Sequence, residues 1–179
     1  TGEINNVQES IEVVGPDLQI RNLKVETSDI QAGGLVTISW EDWNLGTSPA
    51  TIGYDDRITV RNGALALIDT SLAYDPTAIV DGQMLGAIQP GAMRARSCTF
   101  RLPDGLRGAG DISITVTADQ NAGGVGVYYE ANLTNDAESN NTAAVHATSL
   151  AKPYADLSVS TFTSDSLGVG GEPVNVQWT

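Results

Sequence analysis

The chain has 179 residues, of which 41% are hydrophobic and spread along its length, enough to pack the core of one good-sized domain, alone or with fragments. Nine basic side chains face 22 acidic ones, and the formal charge of −13 repels nucleic acid and anionic membranes. It reads either as solubility in a salty medium or as an attraction for divalent cations. A lone cysteine, Cys98, excludes an intrachain disulfide, and a lone histidine, His146, excludes a zinc cluster. No apolar run approaches the length of a membrane span, and no charged-then-apolar leader is present. The abrupt start at "TGEINN" reads as an excised fragment.

Taken in chain order, the segments predict short strands. Leu18, Ile20, Leu23 and Val25 start the first, with a slip in phase at Asn22. "LVTISW" alternates, and its Val36/Ile38/Trp40 set is expected to face inward. "DRITVRN" and a weaker "ALALI" follow, then a long irregular stretch through "DPTAIVDGQMLGAIQPGA". "SCTFRL" puts Cys98, Phe100 and Leu102 on one face, so Cys98 reads as a buried small hydrophobe. "DISITVTAD" is the cleanest strand, with Ile112, Ile114, Val116 and Ala118 in. "TAAVHATSL" closes the domain. With 19 glycines, few aromatics and recurrent bursts of Val, Ile and Thr, the pattern predicts an all-β antiparallel sandwich of about seven strands.

The chain also repeats itself. "PDLQIRNLKVETSDIQAGGLVTISW" (16–40) returns as "ADLSVSTFTSDSLGVGGEPVNVQW" (155–178). The offset is 156 − 17 = 139 at the shared Asp-Leu and 178 − 40 = 138 at the shared Trp, a difference a small indel explains. "EINNVQESIEVV" (3–14) echoes "ESNNTAAVHATSL" (138–150). The expected organisation is therefore the tail of one repeat (1–14), a complete repeat (16–150) and the head of the next (154–179). A period this long means tandem whole domains, not a solenoid of small units.

"SWEDWNLGTSPA", "YDDRITV", "FRLPDGLRGAGDISITVTAD", a Glu and finally "ESNN" occur in that order. Together they resemble the CARDB family of bacterial cell-adhesion-related domains, over roughly 16–150 with a restart at Asp156. The resemblance implies an immunoglobulin-like sandwich, repeated in large secreted or surface proteins and serving adhesion or spacing, not catalysis. It also implies an extracellular or cell-surface location, with neighbouring repeats and a surface protein or glycan as partners. Two departures stand out. Asp42 occupies the family's inward Val position with Trp43 beside it, so either a bulge at Glu41-Asp42 returns Trp43 to the core or Asp42 points inward. The loop after Asp119 is also longer, with Gly123, Gly124 and Gly126.

Candidate chemistry is sparse. A Ser–His–acid triad would need His146, which sits mid-strand, and "AGGVGV" lacks the Lys-Ser/Thr of a phosphate loop; no enzyme is expected. A sugar platform would draw on Trp43, Tyr54, Tyr128 and Tyr129. The oxygen-rich stretch "DQNAGGVGVYYEANLTNDAESNN" suits calcium, which takes six to eight oxygens. Its candidate ligands are Asp119, Asn121, Glu130, Asn132, Asp136, Glu138 and Asn140, with Asn135 and Asn141 beside them. It is neither an EF-hand nor a glycine-rich nonapeptide repeat, and a solvated polar loop is the alternative. Immunoglobulin-like topology would bring this loop to the end where the domain begins, near Glu12 and Asp17. Asp156 would lie a strand away, about 27 Å at about 3.3 Å per residue. Two Asn-x-Thr sequons, at Asn132 and Asn140, carry little information.

Overall fold

The computed structural model describes residues 14–153 and 157–179. Residues 1–13 of the expected repeat tail, Glu12 included, and Ala155 and Asp156 lie outside the described residues. The strands are β1 (Leu18–Val25), β2 (Leu35–Asn44), β3 (Tyr54–Asn62), β4 (Leu65–Tyr74), β5 (Ile79–Val80), β6 (Gln83–Met84), β7 (Met93–Arg101), β8 (Gly110–Gln120), β9 (Thr142–Ser149), β10 (Phe162–Ser164) and β11 (Val176–Trp178). Two antiparallel sheets, β1-β2-β7 and β4-β3-β8-β9, form the layers of a sandwich. β5 and β6 make a small hairpin inside the stretch expected to be irregular.

Alternation decides what lies between the layers. Val36, Ile38 and Trp40 from β2 meet Ile112, Ile114, Val116 and Ala118 from β8, with Ile58 and Val60 from β3, all buried. Each large aliphatic chain removed from water contributes about 1.5–3 kcal/mol as an upper bound. Cys98 packs half-buried against this core, which raises its thiol pKa by desolvation. Among the described residues no helix is long and apolar enough to cross a membrane.

Of three register shifts in the sandwich ladders, the two on β1 and β8 steer side chains near the site. Arg21 pairs with Glu41 but Lys24 pairs with Ser39, so β1 carries one extra residue, and Asn22 takes up the left-handed turn at φ 53°. This is the slip predicted at Asn22. β2 itself runs in unbroken register against β7 from Leu35↔Arg101 to Trp43↔Met93. No bulge lies at Glu41-Asp42, so Asp42 points inward, fully buried, and Trp43 stays on the outer face. The second bulge is on β8: Asp55 pairs with Gln120 but Arg57 with Thr117, and Asp119 has φ 54°. That extra residue is why Asp119 is buried immediately after the buried Ala118.

The chain comes into the sandwich between two loops. The Gly15 carbonyl accepts from the amides of Thr47 and Ser48, the Pro16 carbonyl from Ala131, and the Asp17 carbonyl from Leu45. A Cβ at Gly46 would collide with the Gly15 carbonyl and Pro16 backbone, so this close approach requires glycine. At the opposite end Ala32 donates to Leu150, Leu150 donates to Ile30, and Gln31 bridges Leu150 in parallel. β1 therefore starts at a proximal end and β9 leaves at a distal one.

Beyond the sandwich, β10 pairs with β11 as Thr163↔Gln177 and Ser164↔Val176. In the sandwich β1 pairs with β2 as Lys24↔Ser39 and Val25↔Ile38. The two registers coincide under the sequence offsets: 24 + 139 = 163 and 39 + 138 = 177, then 25 + 139 = 164 and 38 + 138 = 176. The left-handed Gly33 (φ 73°) maps in the same way on the left-handed Gly171 (φ 89°), since 33 + 138 = 171.

Candidate functional site

The loop from Asp119 to Asn141 lies at the proximal end, as its place before the last strand requires. Asp119 reaches it through the β8 bulge, and its Oδ1 accepts from the amides of Val127 (3.1 Å) and Tyr128 (3.0 Å). Glu130 is buried; its Oε1 accepts from the Leu18 amide at 2.6 Å and its Oε2 from the Asn141 Nδ2 at 2.5 Å. Glu138 in turn accepts from the Glu130 amide at 2.7 Å through Oε1. Burial raises the Glu130 pKa to about 8, against the pull of the Leu18 and Asn141 bonds; the Asp119 and Glu138 charges push it further up. Burial likewise raises Asp119 to about 6, opposed by its backbone donors and aided by Glu138.

The remaining candidates form separate knots. Asn132 donates to Asp17 Oδ2 (3.0 Å) and Asp136 Oδ1 (2.8 Å), while its Oδ1 accepts from Thr134 and the Asp136 amide. The Thr134 and Asn132 bonds lower the Asp136 pKa. Asn121 folds back on its own turn, Oδ1 accepting from the Gly123 and Val125 amides. Asn140 Oδ1 and Asn141 Oδ1 are buried without a protein donor.

Six of the seven expected calcium ligands are thus shared among separate hydrogen-bonded groups, Asn140 Oδ1 has no protein donor, and the seven do not converge as one shell. Among the described residues, no three Asp, Glu, His or Cys side chains are placed to hold one metal ion. At Gly126 a Cβ would sit 3.0 Å from Asp119 Oδ2 and 3.7 Å from Glu138 Oε2. A hard cation there would have two carboxylates and would complete its shell with water and backbone carbonyls. Gly126 leaves the space open because it has no side chain.

A second carboxylate cluster is sealed in the core. Asp42 and Asp56 have no exposed surface. Arg96 Nε lies 3.2 Å from Asp56 Oδ2 and 3.7 Å from Asp42 Oδ2. Trp40 Nε1 donates to Asp56 (3.0 Å) and the Tyr54 hydroxyl to Asp42 (3.0 Å). Burial raises both carboxyl pKa values, with Asp42 adding to the rise at Asp56 and Arg96 opposing it at both. Two carboxylates this close titrate as a coupled pair, and burial favours the protonated form of each. Burial and the two carboxylates also push the Tyr54 hydroxyl upward, so it stays a donor. Arg96 is further pinned by the carbonyls of Leu72 (2.7 Å) and Ala73 (3.0 Å) and lies over Tyr74 at 5.5 Å. Asp56 stands in the "YDDR" motif and Asp42 in the noted departure, but the sequence around Arg96 alternates without marking it as inward.

The aromatics do not form a platform. Tyr54 is buried, Tyr128 is half-buried with its hydroxyl on the Ile52 backbone, and Trp43 lies under Arg21 at 5.8 Å while donating to Glu41. Tyr129 alone of the four is largely exposed. His146 stands opposite Ser113 on the outer face of β8–β9, with Nδ1 3.4 Å from Asp111 and both side chains mostly in solvent. Water screens such a pair, and nothing there shields a reacting atom.

No known family model matches the chain, and no curated protein matches it. Among solved structures, the CARDB domain of a Pyrococcus furiosus protein, determined by solution NMR, matches with a TM-score of 0.50 at 16% identity, over 78% of this chain and 99% of that domain. A crystal structure of that domain, in complex with di-metal ions, matches with a TM-score of 0.48 at 14% identity, over 80% of this chain and all of the other. The protein has the fold of a CARDB domain, and the resemblance read from its motifs is borne out at the level of the fold.

Proposed function

We propose that this protein is a stretch of a tandem array of CARDB-type sandwiches, serving as a structural and adhesive module on the outside of a bacterial cell or in a secreted protein. The observation that carries this reading is the β10–β11 hairpin, whose pairing repeats the β1–β2 register under the sequence offsets. Its Phe162, Val176 and Trp178 are exposed, as the first strands of a sandwich are before the rest of it is added. Neighbouring repeats are the first partners, and a surface protein or glycan the more distant one. No catalysis is assigned: Asp42 and Asp56, whose pKa values burial raises, are closed off from any substrate.

The test is a two-copy chain in which residues 17–179 follow residue 155, so that the terminal hairpin continues into a complete second sandwich. Two folded copies would give about twice the calorimetric unfolding enthalpy of the single-copy chain, because this quantity scales with residues ordered. A second copy that stays unfolded rules out the array.

Calcium is the finer part of the proposal, held between Asp119 and Glu138 beside Gly126. Millimolar calcium is then expected to raise Tm by several degrees, chelator to reverse it, and Glu138→Gln to abolish it. An unchanged Tm removes the ion and leaves the array standing.

A further inference from the structure

The long loop after Asp119 builds one wall of a cavity. Its turn is held by its own bonds: Asn121 Oδ1 accepts from the Gly123 and Val125 amides, and Gly124 donates to the Asn121 carbonyl at 2.8 Å. Gly124 is left-handed at φ 72°, a conformation that glycine takes without strain. Opposite stands the outer face of β3 and β4. There Arg57 is gripped by Asp69 through two parallel bonds, Nε to Oδ1 at 2.8 Å and Nη2 to Oδ2 at 2.6 Å. Ser71, the cross-strand partner of Arg57, donates to Asp55 Oδ2 at 3.3 Å. The space between turn and sheet is about 270 Å³.

Donors and acceptors without a protein partner both face this space. Among the described residues Arg57 Nη1 meets no acceptor. Gln120 spends its Nε2 on the Ala118 and Asp119 carbonyls, and its Oε1 meets no donor. Gly124 keeps the way to both open: a Cβ there would sit 3.1 Å from Arg57 Nη1 and 3.9 Å from Gln120 Oε1. The Asp69 carboxylate keeps lone pairs beyond the two that Arg57 occupies.

The lining narrows the ligand. Asp69 neutralises Arg57, Asp55 stands behind Ser71, and the chain carries −13, so the cavity does not gather anions. Among the described residues that line it, Ala122 is the one apolar side chain and none is aromatic. An aromatic ligand or an apolar peptide therefore finds no matching surface. The volume falls just below the roughly 300 Å³ of the smallest drug-sized pockets. A small neutral molecule rich in hydroxyls fits, because each hydroxyl both donates and accepts.

We propose that this cavity seats one neutral sugar residue, the end of a glycan. One hydroxyl accepts from Arg57 Nη1 and donates to Gln120 Oε1, and a neighbouring hydroxyl donates to Asp69. Asp69 also fixes the guanidinium beforehand, so little side-chain freedom is lost on binding. With no ring to stack on, a single cavity binds weakly, and tandem copies on one glycan-coated surface add avidity. This deepens the adhesive part of the function proposed above by giving it a ligand class. The cavity is formed within one sandwich, so it does not depend on the array.

The test is an NMR titration of the isotope-labelled chain with galactose, glucose, mannose and fucose in turn, up to tens of millimolar, with a sugar acid as the anionic control. At least one neutral sugar is expected to give saturable shifts confined to Ser71, the 120–124 turn and the Arg57 Nε–H. Arg57→Ala should weaken that sugar about tenfold and Gln120→Ala severalfold. The Arg57–Asp69 pair is exposed, so Arg57→Ala keeps the fold; should it fail to, Gln120→Ala carries the test. No saturable shift with any neutral sugar would overturn the assignment, as would shifts that survive both substitutions. A sugar acid that binds as well or better would make this an anion site of Arg57 and overturn the neutral ligand. A methyl glycoside that binds like the free sugar supports the end of a glycan, and one that fails to bind would withdraw the glycan. None of these failures touches the array, which is read from the folding of the two-copy chain.

Discussion

Two groups of carboxylates, of similar composition, are handled by opposite means in this molecule. In the core, Asp42 and Asp56 share a guanidinium, an indole N–H and a phenol, so positive charge is built into the sandwich. At the proximal end, Asp119, Glu130 and Glu138 are met by backbone amides and an asparagine, and among the described residues no lysine or arginine pairs with them. The first arrangement takes its positive charge from within one domain, although Asp42 Oδ1, Asp56 Oδ1 and Arg96 Nε are buried without a hydrogen bond. The second keeps its protons or recruits charge from outside, and so suits an end that meets something else.

The largest break in that contrast comes from removing the positive charge beside Asp42 and Asp56. Arg96→Met leaves two buried carboxylates without compensation and is expected to cost about 3–5 kcal/mol, read as a fall in urea midpoint. The loop cluster answers to pH instead. Glu130 and Asp119 have folded pKa values of about 8 and about 6, above their unfolded values of about 4. The folded state therefore binds their protons more tightly. Their contribution to stability is full below about pH 4 and is lost as pH rises through those folded values. Tm is expected to fall by several degrees from pH 5 to pH 9, opposite to ordinary acid denaturation. Glu130→Gln should flatten the upper part of the slope, its amide donating to Asn141 Oδ1 once that side chain turns over. A slope that persists in this variant would place the titration elsewhere.

Asp42→Asn tests the core pair from the other side. It leaves one carboxylate to one guanidinium and keeps an acceptor for Tyr54, so a gain of about 1–2 kcal/mol at pH 8 is expected from equilibrium unfolding. The smallest effect belongs to Trp43→Ala. Its ring faces outward under Arg21, and the loss should stay below about 1 kcal/mol. A loss of core size there would mean that Trp43 packs inward after all.

Most of the architecture was legible because alternation is a strong signal. Ile112 to Ala118 and Val36 to Trp40 face inward as their spacing predicts, and the slip at Asn22 is a bulge. β4 runs longer than "ALALI" suggests because its outer positions are mostly exposed and polar, which blurs the period. The site was harder to read. Asp42 breaks the pattern at a core position, and the choice between a bulge and an inward acid depended on Arg96, more than fifty residues away in sequence. The loop's oxygens were visible, but not that backbone and amide N–H groups already occupy most of them. Composition counts donors and acceptors without saying how they pair.

The placement of the first and last strands has a mechanical consequence. Tension applied between residue 14 and residue 150 runs along β1 and β9 from the proximal end to the distal one. The hydrogen bonds of both ladders lie across that direction, so they are loaded in shear and must yield together, not unzip one at a time. A module held in this way resists stretching most where the chain passes between the 45–48 and 129–131 loops, at the glycine that no other residue can replace without collision.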